Sequence, residues 1–204
     1  MSLFRRLFSS KSKSDKAYKK DQIEDRSKYM PEVHLPVDES FMINFKKNGG
    51  KFLYCDSNEE LLDAFDKILL ENDWYERDVF TYENILEQKF SGFNLRFKQN
   101  SSSCAFFFST CEYLIADTGS ILISSHQLKE KKITELSDNF IILASTSQLV
   151  ENISEGLKGI KNKNRKSIPS NITTIKNFEP QKEKDFLSYG SSSKNLYLLL
   201  LEDL

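Results

Sequence analysis

Two runs of the chain, residues 140–144 (FIILA) and 195–201 (NLYLLLL), are apolar at successive rather than alternate positions. Neighbouring side chains on a β-strand point to opposite faces, so such runs describe strands buried on both sides. A sheet built from them needs cover on each face. The intervening segments supply it. Residues 51–55 (KFLYC) read as a short strand, after which Leu61, Leu62, Phe65, Ile68 and Leu69 recur at helical spacing behind Ser57, a helix cap. Residues 79–82 read as a strand, 83–90 as a helix, 105–108 as a buried strand and 148–159 as a helix capped by Ser147. Residues 172–175 read as a strand and 179–188 as a polar helix. Phe41, Ile43 and Phe45 alternate, the spacing of an extended segment, ahead of Gly49 and Gly50. This order predicts an α/β domain: a three-layer, Rossmann-like, mainly parallel sheet with helices on both faces.

At 204 residues the chain is long enough for one substantial core, and its 39% hydrophobic and 29% charged residues exclude a disordered or membrane-embedded chain. The longest apolar runs fall far short of the roughly 20 residues of a spanning helix, and the N-terminus lacks the apolar core of a secretory signal. A cytoplasmic protein with no membrane span is expected. A net charge of −1 provides no general footprint for nucleic acid, which is therefore not an expected partner. The charge is uneven: Arg5, Arg6, Lys11, Lys13, Lys16, Lys19 and Lys20 crowd the start. Residues 1–38 thus read as a basic, partly helical tail and linker, and residues 39–204 as the compact domain. Cys55, Cys104 and Cys111 form no CxxC pair, so neither a metal nor a resident cofactor is expected. Glycine-rich nucleotide loops and hydrolase or zinc-protease motifs are missing as well.

The chemistry-bearing candidate is Asp117-Thr118-Gly119-Ser120, a tetrad between two β-prone stretches. Glycine allows a backbone that turns N–H groups toward an anion, and Asp117, Thr118 and Ser120 would add an acceptor and two hydroxyls. Equally, Asp and Thr satisfy their own backbone in tight turns. His126 follows closely and is, with Asp117, a candidate acid or base. The basic run 158–166 is either a solvated helix end, where cations offset the negative pole, or a phosphate contact.

The stretch 111–125 (CEYLIADTGSILISS), followed by 141–149 (IILASTSQL) and 169–175 (PSNITTI), resembles the LUD (lactate-utilisation) domain family, many of whose members read A-[ED]-T-G-[ST] at the tetrad. It is most similar to the protein C type. The resemblance implies a fold similar to ribose-phosphate isomerases and CoA transferases, and iron–sulfur partner subunits in L-lactate oxidation to pyruvate. It further implies a small anionic ligand near Asp117, Thr118, Gly119, Ser120, Gly190 and Lys194. Two turns depart from the family pattern. Residues 176–185 lose a glycine-proline-serine turn, where Phe178 and Glu179 would crowd and repel an anion, and residues 190–194 keep Gly190 but lose a histidine, glycine and proline. The expected function is an accessory or anion-binding subunit of lactate utilisation. A transferase or isomerase acting on a phosphorylated or CoA-linked acid, and a non-catalytic scaffold, stand as alternatives, and the sequence leaves open whether the chain is an enzyme.

Overall fold

The computed structural model describes residues 35–98, 103–178 and 194–203. The basic tail, the helix expected over 179–188, and Gly190 lie outside them. Within them the chain builds a six-stranded parallel sheet in the order β1-β10-β7-β4-β2-β3: β1 (Lys51–Cys55), β2 (Asp78–Phe80), β3 (Arg96–Lys98), β4 (Phe106–Thr110), β7 (Asn139–Ser145) and β10 (Asn195–Leu201). The two consecutively apolar runs become β7 and β10 at its centre, paired residue for residue from Asn195 against Asn139 to Leu201 against Ser145. Helices flank this sheet, giving the three-layer, Rossmann-like architecture. Among the described residues, no helix is long and apolar enough to cross a membrane.

One face of the sheet takes α2 (Asn58–Asn72), whose Ser57 cap accepts from the Glu60 amide and whose Leu61, Phe65 and Leu69 pack on Phe106, Phe108, Ile141 and Leu199. Trp74 closes this layer, stacked on Phe106 at 4.8 Å between centroids. Two short segments, α3 (Asn84–Lys89) and a 3-10 turn at Ser91–Phe93, complete it.

The opposite face takes α1 (Val37–Lys47) together with a second sheet that the strand count had not anticipated. Its strands are β5 (Tyr113–Ile115), β6 (Ser120–Ile123), β8 (Leu149–Val150) and β9 (Thr173–Ile175), in the order β8-β5-β6-β9. β5 and β6 form an antiparallel hairpin whose inner residues Leu114, Ile121 and Ile123 share a core with Phe41, Phe45, Phe107, Phe140 and Leu198. Its outer residues Tyr113, Ile115 and Leu122 receive α5 (Ile153–Lys163) through Ile160.

Three expectations are corrected. Phe41 and Phe45 lie on one face of a helix, four residues apart, with Ile43 half exposed on the other; alternation over five residues cannot separate the two periods. The helix expected from residue 148 starts five residues later, capped by Asn152 instead of Ser147. Ser147 is held elsewhere, its amide and hydroxyl both donating to Asp203, while Leu149 and Val150 extend the hairpin sheet beside Leu114 and Ile115. Phe178, expected to crowd a ligand turn, is buried in the core with its ring 4.7 Å from Phe45 and its amide donating to the Asn48 carbonyl.

Candidate functional site

The β5–β6 hairpin has two ends, and the sequence candidates divide between them. At the turn end, Gly119 adopts φ +60°, and a Cβ there would overlap the backbone of Asn44 and Phe45 in α1. The side-chain amide of Asn44 donates to the carbonyls of Ala116 (2.8 Å) and Asp117 (3.2 Å), and that of Asn48 to those of Thr118 (2.8 Å) and Gly119 (3.2 Å). The Thr118 and Ser120 hydroxyls bond each other at 2.8 Å, and the Asp117 amide donates to the Glu151 carbonyl. The tetrad is therefore the surface on which α1 sits, with the Asp117 side chain facing solvent.

The open end lies about 13 Å away along β6. There the chain leaves the carboxyl end of β4 at Thr110 and passes through Cys111 to Glu112, placing Glu112 on the edge of the parallel sheet where ligands of open α/β folds gather. The hairpin register, Tyr113 against Leu122, carries Glu112 to the level of Ile123, next to Ser124 in the chain. Ser124 caps α4 (Ser125–Leu128), with Gln127 completing a capping box. The Ser124 hydroxyl donates to Glu112 Oε1 at 2.6 Å, and His126 Nδ1 lies 2.9 Å from the same oxygen. Gln148 fixes the backbone behind this pair, its amide donating to the carbonyls of Cys111 (2.6 Å) and Glu112 (3.2 Å).

The Glu112 side chain is 10% exposed and that of His126 47%, so a nearly buried acceptor orients a half-open ring. With Glu112 ionised, Nδ1 carries the proton and Nε2 presents a lone pair from the neutral ring, or a second N–H from the protonated one. The ring borders an open groove of about 510 Å³ whose other walls include Lys163, Arg165, Lys166 and Ser167. Those residues end α5 and its following turn. Gly159 sets their position: a Cβ there would overlap the Tyr113 ring, so its absence lets α5 lie flat on the hairpin. Lys163 Nζ then sits 4.8 Å above the Tyr113 ring.

The fold thus brings together His126 and the basic run, which the sequence had offered as separate candidates, and adds Glu112, which it had not singled out. Reading 113–123 as a hairpin would have brought Glu112 to the level of Ile123, one residue from Ser124 and three from His126. Lys194 is placed elsewhere. Its side chain is 3% exposed, and the ammonium donates to the carbonyls of Leu136 (3.1 Å) and Ser137 (3.0 Å) and to Asp138 Oδ1 (3.2 Å). Burial raises the Cys111 thiol out of the reactive range and pushes Cys55 up to about 12, which leaves both as core residues. Among the described residues no cluster of three His, Cys, Asp or Glu side chains is arranged to hold a metal ion.

No curated protein matches the sequence. Among solved structures the chain is similar to a DUF162 family protein from Deinococcus radiodurans, at 14% identity and a TM-score of 0.58, covering 82% of this chain and 96% of that one. This likeness carries the fold. The LUD domain profile matches residues 39–201, nearly the whole of the compact α/β unit, and the chain belongs to the LUD domain family.

Proposed function

We propose that this chain is an accessory subunit of lactate utilisation that binds a small carboxylate such as L-lactate or pyruvate in the groove beside His126, acting in the cytoplasm. It brings no redox cofactor of its own, and electrons pass to iron–sulfur partner subunits of the kind the resemblance implies. The observation that carries the binding role is the convergence of an oriented imidazole with Lys163, Arg165 and Lys166 on one groove at the carboxyl edge of the sheet. Cations at a helix end also offset its dipole, a role that needs no ligand. A tethered histidine facing the same groove is what dipole compensation leaves unaccounted for.

In this reading the ligand's carboxylate meets the cations, while His126 Nε2 bonds its hydroxyl or keto oxygen. Asp117, Thr118, Gly119 and Ser120 contribute by seating α1, and Lys194 by holding the start of β10. One observation also favours the transferase or isomerase alternative, with His126 as its acid or base: the Glu112 tether fixes which nitrogen faces the groove.

Thermal unfolding in the presence of L-lactate, pyruvate, acetate, sugar phosphates and CoA esters tests the proposal. A native-state ligand at about 100 times its Kd adds about 2.7 kcal/mol of stability. The expected outcome is stabilisation by the 2-hydroxy or 2-oxo acid, abolished by replacing Lys163, Arg165 and Lys166 with Gln and retained in Asp117→Ala. Stabilisation lost in Asp117→Ala but kept in the triple variant would return the site to the tetrad.

A further inference from the structure

A second cleft, of about 360 Å³, opens at the amino-terminal edge of the parallel sheet, the end opposite His126. Its walls come from the turn after α2 and from the first residues of β2, β3 and β7. Asp78 and Arg96 start β2 and β3, and their side chains meet at 2.7 Å; Asp73 and Arg77 meet more loosely at 3.8 Å. The Arg96 amide donates to the Arg77 carbonyl, which brings the two arginine-bearing segments side by side. Trp74 also lines the cleft, 8% exposed and stacked on Phe106, and its indole N–H has no acceptor among the described residues. It is not a sealed-off donor either, since among the described residues the buried side-chain atom without a partner is Glu202 Oε1. One residue of the cleft wall thus holds an unused N–H on a side chain that is otherwise core.

Backbone conformation sets this region apart as well. Asp73, Glu76, Asn94 and Ser103 all adopt positive φ, from 53° to 72°, and Asp73 and Ser103 line the cleft. Left-handed backbone suits Asn and Asp but costs about 1 kcal/mol or more at other residues and concentrates where a ligand is gripped.

We propose that this cleft binds a small zwitterion, a free α-amino acid. Two arginines and two aspartates face it, so its charges cancel and a simple anion or cation gains little net attraction. A molecule carrying a carboxylate and an ammonium a few ångströms apart engages both signs at once. Its carboxylate takes the guanidinium N–H groups of Arg77 and Arg96 and the Trp74 indole N–H, and its ammonium takes Asp73 and Asp78. The exposed ion pairs are weak by themselves, so exchanging part of each for a ligand contact costs little. This site is independent of the groove at His126 and does not rest on the lactate reading.

Trp74 is the single tryptophan of the chain, so its fluorescence reports the cleft alone. The purified full chain is titrated with each proteinogenic amino acid and, in parallel, with propionate, propylamine and inorganic phosphate. The expected result is a saturable emission change with at least one amino acid, absent with the probes that carry one sign of charge, and weakened about tenfold or more in both Arg96→Gln and Arg77→Gln. Both arginines are exposed, and an unchanged thermal melt confirms that each variant folds. A flat titration with every amino acid up to about 1 mM, an equal response to propionate or phosphate, or undiminished binding in both folded variants would overturn the assignment.

Discussion

Single residues carry two structural commitments of this fold that can be measured directly. Gly119 combines φ +60° with a backbone-to-backbone approach to α1, so Gly119→Ala meets both left-handed strain and overlap with Asn44 and Phe45. Equilibrium denaturation is expected to show a loss of about 2–4 kcal/mol. A loss below about 0.5 kcal/mol would show that the hairpin turn shifts freely away from α1. Asp203 ties the end of the chain to the turn after β7, accepting from Thr146 Oγ1 and from the Ser147 amide and hydroxyl at 2.7–2.9 Å. Burial would raise its pKa, but these hydrogen bonds prevail and hold it down to about 2. A depressed carboxylate contributes its stability above the ordinary value of 3.8 and loses it as pH falls toward 2. Asp203→Ala should therefore lower Tm at pH 6 and converge on the unaltered protein near pH 2. A difference independent of pH would show that the carboxylate's charge is not what matters. Neither residue's role was readable beforehand: Gly119 was recognised as a turn glycine, but its packing partner lies more than seventy residues away, and Asp203 ends a strand with nothing local to mark it.

At the scale of elements, the two centre strands and α2 were legible because each meets one strong local rule: consecutive apolar residues for β7 and β10, and a cap followed by an i, i+3, i+4 stripe for α2. Structure and sequence pattern part where local rules are weak. α1 is short, and its two buried phenylalanines match a helix at four residues and a strand at every second residue equally well. The start of α5 is ambiguous in the sequence because Ser147 and Asn152 are both good caps, and Asp203, a partner remote in sequence, holds Ser147 and leaves the cap to Asn152. α5 and the turn after it also carry the cations of the proposed site, and Gly159 governs the helix's seat against Tyr113. Gly159→Val is thus expected to tilt α5 off the hairpin, costing about 1–3 kcal/mol and weakening anion binding together with stability. Full-strength binding in a destabilised Gly159→Val protein would separate the groove from the packing of α5. Phe45→Ala, which removes a ring buried between Phe41 and Phe178, serves as the contrasting element-scale change. It should cost about 3–5 kcal/mol while leaving the groove's affinity at low temperature unchanged.

Over the whole molecule, the parallel sheet separates two clefts at opposite edges, and the second sheet decides which candidate residues reach either. The strand–helix order announced a mainly parallel core and five of its six strands, but not β3, nor that residues 113–123, 149–150 and 173–175 would form a separate four-stranded layer. That departure moved the tetrad onto α1 and swung His126 to the carboxyl edge, beside the end of α5. The family resemblance pointed to residues 111–125; the proposed site takes Glu112 and His126 from that segment and the cations at the end of α5 from outside it, in place of Asp117 and Lys194. The central claim is that the His126 groove is an anion site. The chain contains two histidines, so long-range proton–nitrogen NMR resolves the His126 ring without ambiguity against His34. Titration with L-lactate and pyruvate should shift His126 Nε2 saturably while Nδ1 keeps the signature of a protonated nitrogen bonded to Glu112. Replacing Lys163, Arg165 and Lys166 with Gln should abolish the shift. An unmoved Nε2 resonance with both acids, or a shift that survives loss of all three cations, would contradict the account.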